Sequence, residues 1–227
     1  KQFSTFLGDQ SLFQATARRL SGPAYGPPLV LTGADFRFLV TDQLAEAGIS
    51  DATILIEPEA KNTAAAVLAA ALWLEKSAGD ALMLIAPSDH VVPDAAGFAA
   101  AVETGRAVAE AGGLVTFGVT PDRAETGYGW LERADADNAG AQPLTRFVEK
   151  PDAESAKNMV VAGNFLWNAG IFLFSVRSIL QAFATHAPDL AAPVRAAVDQ
   201  GKPDLGFLRL DPESWSSAAN ISIDYAI

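Results

Sequence analysis

Apolar residues recur along the chain in two rhythms. Short apolar runs at Leu29–Thr32, Thr53–Ile56, Leu82–Ala86, Leu114–Val119 and Phe165–Phe174 have the length and composition of buried strands. Between them apolar positions fall at helical spacing: Leu12, Phe13, Ala17 and Leu20; Phe36, Leu39, Val40 and Leu44; Val67, Leu68, Ala71 and Leu72; Phe98, Val102 and Val108; Val176, Ile179, Leu180 and Phe183. A further helix is predicted over Ala191–Gln200. Start and stop signals bracket these segments. Ser11 and Ser175 stand where N-caps belong, Asn62 or Thr63 should cap the alanine-rich helix, and Gly22-Pro23, Gly48, Gly112-Gly113, Pro188 and Gly201 end helices. Strand-helix alternation through Val119 predicts a parallel sheet with right-handed crossovers. The pattern therefore reads as α/β, with residues 1–227 forming one domain.

After Val119 the alternation stops. Glu125-Thr-Gly127-Tyr-Gly129-Trp-Leu has a flexible backbone, and Asp135–Gln142 reads as an exposed hairpin or loop. Arg146-Phe-Val-Glu149-Lys150-Pro151 is a short strand ending on a charged pair. Neighbours on a regular strand point to opposite faces, so Glu149 and Lys150 should not pair with each other, and one of them should face a cleft. Phe165–Phe174 carries Asn168 and Gly170 at its head, and the tail Ser222-Ile-Asp224-Tyr-Ala-Ile227 is the last ordered segment.

Composition narrows the chemistry. Half of the 227 residues are hydrophobic and 13 are Phe, which fits a folded domain with a sizeable core. The 27 acidic against 16 basic residues give a net charge of -11, which argues against nucleic acid or anionic lipid as partner. With no cysteine and only His90 and His186, disulfides, thiolate nucleophiles, thiolate zinc sites and polyhistidine metal centres are excluded. No signal-peptide core or membrane-length apolar stretch is present, so the chain is expected to be soluble and cytoplasmic.

Candidate chemistry gathers where strands end. Leu82-Met-Leu-Ile-Ala-Pro-Ser88-Asp89-His90 takes a buried strand directly into polar side chains, which is where open α/β sheets bind ligands. The same residues also suit an ordinary turn. Asp89 and Asp224, if folding unites them, are enough for a Mg²⁺ that keeps several waters and bridges phosphates; Asp224 alone also suits a cap or turn. Lys150 suits a phosphate oxygen and Glu149 sugar hydroxyls, though an exposed pair is equally consistent with the spacing. Gly127, Gly129 and Gly170 allow close backbone approach or a bulge. His90 fits an orienting or structural role, because no nucleophile stands in a recognisable arrangement with it.

The order of these pieces is more specific than any one of them. Lys1-Gln-Phe, Glu57-Pro-x-x-Lys61-Asn62-Thr63-Ala, Pro87-Ser-Asp89-His90, Thr116-Phe-Gly, Glu125-Thr-Gly-Tyr-Gly129, Phe147-Val-Glu149-Lys150-Pro151, Trp167-Asn168-Ala-Gly170 and Ser222-Ile-Asp224-Tyr-Ala together resemble the bacterial mannose-1-phosphate guanylyltransferases, over essentially the whole chain. Glu-Lys-Pro is shared among sugar nucleotidyltransferases, whereas Pro-Ser-Asp-His with Ser-Ile-Asp-Tyr-Ala is particular to the mannose branch. The resemblance implies a nucleotidyltransferase fold, a Rossmann-like mixed, mainly parallel sheet flanked by helices, and the conversion of GTP and mannose 1-phosphate to GDP-mannose and pyrophosphate. It implies Mg²⁺ held by Asp89 and Asp224, Lys150 on the sugar phosphate, and Lys1 against the phosphates. Glu149, Asn168, Gly170 and Gly129 would line the mannose pocket, while Glu57, Lys61, Asn62, Thr63 and Ser88 would face the nucleoside. A homodimer is compatible with this reading. The family's glycine-rich loop lies upstream of its Lys-Gln-Phe motif and its C-terminal extension after the Asp224 motif, so both are expected to be missing from residues 1–227. Two other readings stay open: a sugar nucleotidyltransferase using UTP or dTTP, and a non-catalytic sugar-nucleotide-binding regulatory homologue.

Overall fold

The computed structural model describes residues 1–5, 8–138 and 140–227, and the chain divides into two compact units. The first comprises Lys1–Met83, Pro87–Ala95 and Ser175–Ile227; the second comprises Leu84–Ala86 and Ala96–Phe174.

The first unit opens with α1 (Leu12–Arg19), β1 (Leu29–Gly33), a 3-10 turn (Ala34–Phe36), α2 (Arg37–Glu46), β2 (Thr53–Glu57) and α3 (Asn62–Ser77). Ser11 and Gln14 start α1 as a reciprocal capping box, each side chain satisfying the other's backbone N–H. Its later part holds α6 (Val176–His186), α7 (Pro188–Asp199), β8 (Lys202–Asp204), β9 (Phe207–Arg209), α8 (Pro212–Ser216) and α9 (Ile223–Ala226). The sheet runs β1-β2-β9-β8, with β1-β2 and β2-β9 parallel and β8-β9 an antiparallel hairpin. Phe13, Val40, Leu44, Ile54, Ile56 and Phe207 form a core against it. Helix α3 is buried along most of its length, from Ala64 to Leu72. Its alanines let α6, α7 and α9 pack against it at close range.

The second unit holds α4 (Ala95–Glu110) from Ala96 on, β4 (Val115–Val119), β5 (Gly129–Arg133), β6 (Leu144–Glu149), α5 (Ala153–Ala162) and most of β7 (Phe165–Ser175). Its sheet runs β3 (Leu82–Ile85), β7, β5, β6, with β4 also on β7. Trp130, Ala156, Met159, Phe165 and Trp167 form its core between β5, β7 and α5.

The α/β class and the mixed sheet are as expected, but several local expectations are corrected. β4 pairs antiparallel with β7, so strand-helix alternation did not fix its direction. Phe36, in the 3-10 turn, and Leu39, on α2, are exposed, while Val40 and Leu44 of α2 are buried. Helix α7 begins at Pro188, which suits a first helical position with its fixed φ and missing N–H, rather than at Ala191. The cap position of α3 falls on Lys61, while Asn62 takes φ 45° and its Oδ1 accepts the Thr63 N–H at 2.9 Å. The hairpin expected over Asp135–Gln142 is the β5-β6 connection, closed by the Asp135 N–H on Gln142 Oε1 at 2.8 Å; Ala139 lies outside the described residues. Helices α5 and α8 and strands β8 and β9 were not anticipated; the strands are too short for a periodicity to register.

Candidate functional site

Lys1 is placed by its neighbours' backbone. Phe13 N–H donates to the Gln2 carbonyl at 2.9 Å, Gln43 Nε2 to the Phe3 carbonyl at 2.9 Å, and the Phe3 ring meets Phe13 edge-on at 5.5 Å. Thus anchored, Lys1 reaches Asp89, Nζ to Oδ2 at 3.1 Å. Asp89 and Ser88 lie in the turn after β3, both half-buried. The lysine side chain is 72% exposed, so this ion pair is weak and readily exchanged for a ligand. His90 is held below its ordinary pKa, first by burial and then by the nearby Arg19 and Lys1 cations, with Asp89 opposing. It is therefore neutral at neutral pH. Arg19, in the last turn of α1, was not singled out by sequence reasoning; its charge reaches His90.

The Glu57–Thr63 stretch leaves the carboxyl end of β2. Burial pushes the Glu57 carboxyl up to about 7, with no hydrogen bond or ion pair among the described residues to offset it. Lys61 is committed to holding the loop: its ammonium donates to the Ser216 carbonyl at 2.9 Å, pairs with Glu59 at 2.8 Å, and its side chain is 12% exposed. Trp215 Nε1 donates to the Glu59 carbonyl at 2.8 Å, fastening the loop to α8 a second time. Thr63 Oγ1 accepts the Ile223 N–H at 2.9 Å, and Ala64 N–H donates to the Ile221 carbonyl at 3.2 Å. The first-turn amides of Thr63 and Ala64 are therefore occupied within the protein. These bonds fix the start of α9, whose first turn carries half-buried Asp224.

In the second unit, Glu149 and Lys150 do pair, Nζ to Oε1 at 3.2 Å. The expectation that they diverge assumed a regular strand, but Lys150 has φ 46° and turns out of β6. Its N–H bonds the Tyr128 carbonyl at 3.1 Å. Glu149 is opposite Gly129 in the β5-β6 register. A Cβ on Gly129 would lie 2.7 Å from Glu149 Oε2, 2.8 Å from Phe147 and 3.3 Å from Asn168, so only glycine leaves room where these side chains converge. Asn168 Oδ1 accepts the Gly170 N–H at 3.1 Å and the Thr116 hydroxyl at 3.2 Å. The preceding loop is tied down by Glu125, whose Oε1 accepts the Gly127 N–H at 3.0 Å and whose carbonyl accepts Trp130 Nε1 at 2.9 Å.

The structure therefore places Lys1, Glu57, Lys61, Asn62, Thr63, Ser88, Asp89 and Asp224 in the first unit and Gly129, Glu149, Lys150, Asn168 and Gly170 in the second. Among the described residues no cluster of three or more metal-ligating side chains occurs, and no helix is long and apolar enough to cross a membrane.

In the first unit parallel strands release polar side chains at their carboxyl ends, and in the second Glu149 and Asn168 converge on Gly129. The chain belongs to the nucleotidyl transferase family, whose model matches residues 1–217. Among known proteins it is similar to a mannose-1-phosphate guanylyltransferase of Sinorhizobium fredii, 43% identical over 229 residues, covering 100% of this chain and 45% of the relative. It is 38% identical to the mannose-1-phosphate guanylyltransferase of Escherichia coli, covering 100% of this chain and 49% of that protein. The chain thus spans about half the length of these curated relatives. Among solved structures it resembles a mannose-6-phosphate isomerase of Helicobacter pylori, with TM-score 0.90 and 27% identity over 100% of this chain and 87% of the other. It also resembles a mannose-1-phosphate geranyltransferase of Thermus thermophilus, with TM-score 0.80 and 27% identity over 96% and 61%.

Proposed function

We propose that this chain carries the nucleotidyl-transfer part of a mannose-1-phosphate guanylyltransferase, which converts GTP and mannose 1-phosphate to GDP-mannose and pyrophosphate in the cytoplasm. The observation that carries the reading is the match over the chain's whole length to relatives of that name.

The chemistry needs no general base. The sugar phosphate is already ionised, and its oxygen attacks the α-phosphorus in line. The bond to the β-phosphate breaks and pyrophosphate departs with that electron pair. Catalysis then rests on positioning and charge neutralisation. Lys1 offers a cation to the leaving phosphates and Lys150 one to the sugar phosphate; both ammonium groups are exposed, at 72% and 63%. Glu57 and Ser88 face the nucleoside, while Lys61, Asn62 and Thr63 hold the loop after Glu57 in shape. Guanine presents adjacent N1–H and N2–H donors, and the Glu57 carboxyl, lacking a donor of its own, fits that pair. Glu149, Asn168, Gly170 and Gly129 receive the mannose hydroxyls.

The donor set fits Mg²⁺, which favours hard oxygen ligands and takes only one or two carboxylates beside substrate phosphates. Asp89, partly exposed in its turn, and Asp224, half-buried at the start of α9, would hold it. When bound it offsets charge on the α-phosphate and orients the reactants.

Pyrophosphate release measured across a matrix of nucleoside triphosphates and sugar 1-phosphates tests the reading. Turnover should be greatest for GTP with mannose 1-phosphate; equal or better rates with UTP or dTTP and glucose 1-phosphate would overturn it.

A further inference from the structure

Lys150 leaves β6 in a backbone conformation that its neighbours must enforce. Its φ of 46° is one that a β-carbon disfavours, and Pro151 behind it favours extended geometry instead. Such a conformation persists only where surrounding bonds over-determine it. One of these bonds comes from the loop ahead of β5: Lys150 N–H donates to the Tyr128 carbonyl at 3.1 Å. Where Tyr128 stands therefore decides how Lys150 turns out of the strand, and where its ammonium, 3.2 Å from Glu149 Oε1, is aimed.

Tyr128 is placed in turn by Glu125. The Glu125 carboxylate folds back on its own loop, Oε1 accepting the Gly127 N–H at 3.0 Å, while the Glu125 carbonyl accepts Trp130 Nε1 at 2.9 Å. These two bonds fix the residues on either side of Tyr128 and Gly129. Arg123 braces the carboxylate: Nη2 donates to Glu125 Oε2 at 3.3 Å, Nη1 donates to Asp122 at 2.9 Å, and the guanidinium lies 4.8 Å from the centre of the Trp167 ring. The same ring meets Tyr128 edge-on at 5.5 Å. Trp167 is buried, so it is a rigid wall against which both side chains rest. The Gly127 N–H first, and Arg123 after it against some desolvation, hold the Glu125 carboxyl below its ordinary range, so it stays charged at neutral pH.

We propose that Glu125 is a positioning residue for the sugar phosphate: braced by Arg123, it sets the Gly127–Gly129 backbone, whose Tyr128 carbonyl holds Lys150 in its left-handed turn and so aims the Lys150 ammonium. This rests on the assignment of Lys150 to the sugar phosphate above. Glu125 acts here only through Lys150, which separates it from a residue that merely stabilises the loop.

A double-mutant cycle on the intact protein tests it, read as kcat/KM for mannose 1-phosphate. Glu125→Ala should lower that value roughly tenfold, the loss expected for one hydrogen bond to a charged group. Glu125→Gln keeps the acceptor for the Gly127 N–H and gives up the ion pair, so its loss should be smaller. In a Lys150→Ala background, where the β-carbon stays and the ammonium is gone, Glu125→Ala should change kcat/KM less than about twofold. Where that background turns over too slowly to measure, GDP-mannose affinity by calorimetry reads the same cycle; where Glu125→Ala fails to fold, Glu125→Gln takes its place. Equal factors in both backgrounds would make Glu125 merely structural and overturn the positioning role, while leaving Lys150 its assignment. An unchanged kcat/KM in Glu125→Ala would overturn it too. No effect from Lys150→Ala alone would remove the assignment of Lys150, and the proposal with it.

Discussion

The Thr63 hydroxyl oxygen accepts the Ile223 backbone N–H at 2.9 Å, joining residues 160 positions apart. One belongs to the Lys-Asn-Thr segment that opens α3, the other to the Ser-Ile-Asp-Tyr segment of α9, and Asp224 follows immediately. Ile223 is buried, so this donor has no access to water if the threonine is removed. Thr63→Val should therefore cost about 1–2 kcal/mol of stability, read as a lower urea midpoint. It should also raise the Mg²⁺ concentration needed for half-maximal turnover, because Asp224 loses its anchor. Thr63→Ser should show neither effect.

Asp224→Asn removes a charge while keeping the shape. Turnover should fall by orders of magnitude in a pyrophosphate-release assay, with GDP-mannose binding retained by calorimetry. Loss of binding without loss of turnover would contradict the metal-holding role.

Glu57 is a buried acid whose pKa rises from 4.5 to about 7 in the folded chain. Below pH 4.5 it is protonated whether folded or unfolded, and it contributes nothing to pH dependence. Between there and about 7 only the unfolded state gives up its proton, so stability falls as pH rises. The penalty is complete above 7 and amounts to at most about 3 kcal/mol. Glu57→Gln should leave the urea midpoint nearly unchanged at pH 4 and raise it at pH 8. The same substitution should weaken discrimination between GTP and ATP.

Gly129→Ala places a methyl group 2.7 Å from Glu149 Oε2 and 2.8 Å from Phe147. Overpacking of this kind should cost about 1–3 kcal/mol, seen as a lower thermal midpoint. It should raise KM for mannose 1-phosphate more than KM for GTP, since the displaced groups lie in the second unit only.

The sequence by itself determined the elements that carry strong local signals. Ser11 and Ser175 cap helices as read, because a cap depends on a side chain reaching an amide three residues away. The apolar runs became strands, because burying a continuous apolar segment needs no knowledge of its partner. The motifs also marked Gly129, Glu149 and Asn168, which the structure brings together. Only the tertiary structure decided what depends on partners far along the chain. It turned β4 antiparallel, drew Lys61 onto Ser216 and away from open solvent, and let Glu149 meet Lys150 through a positive φ that spacing cannot encode. It also gave Thr116 its contact with Asn168, 52 residues away. Periodicity reports which face of an element is buried; hydrogen bonds across elements depend on register, bulges and approach distance, which are fixed only when the chain packs.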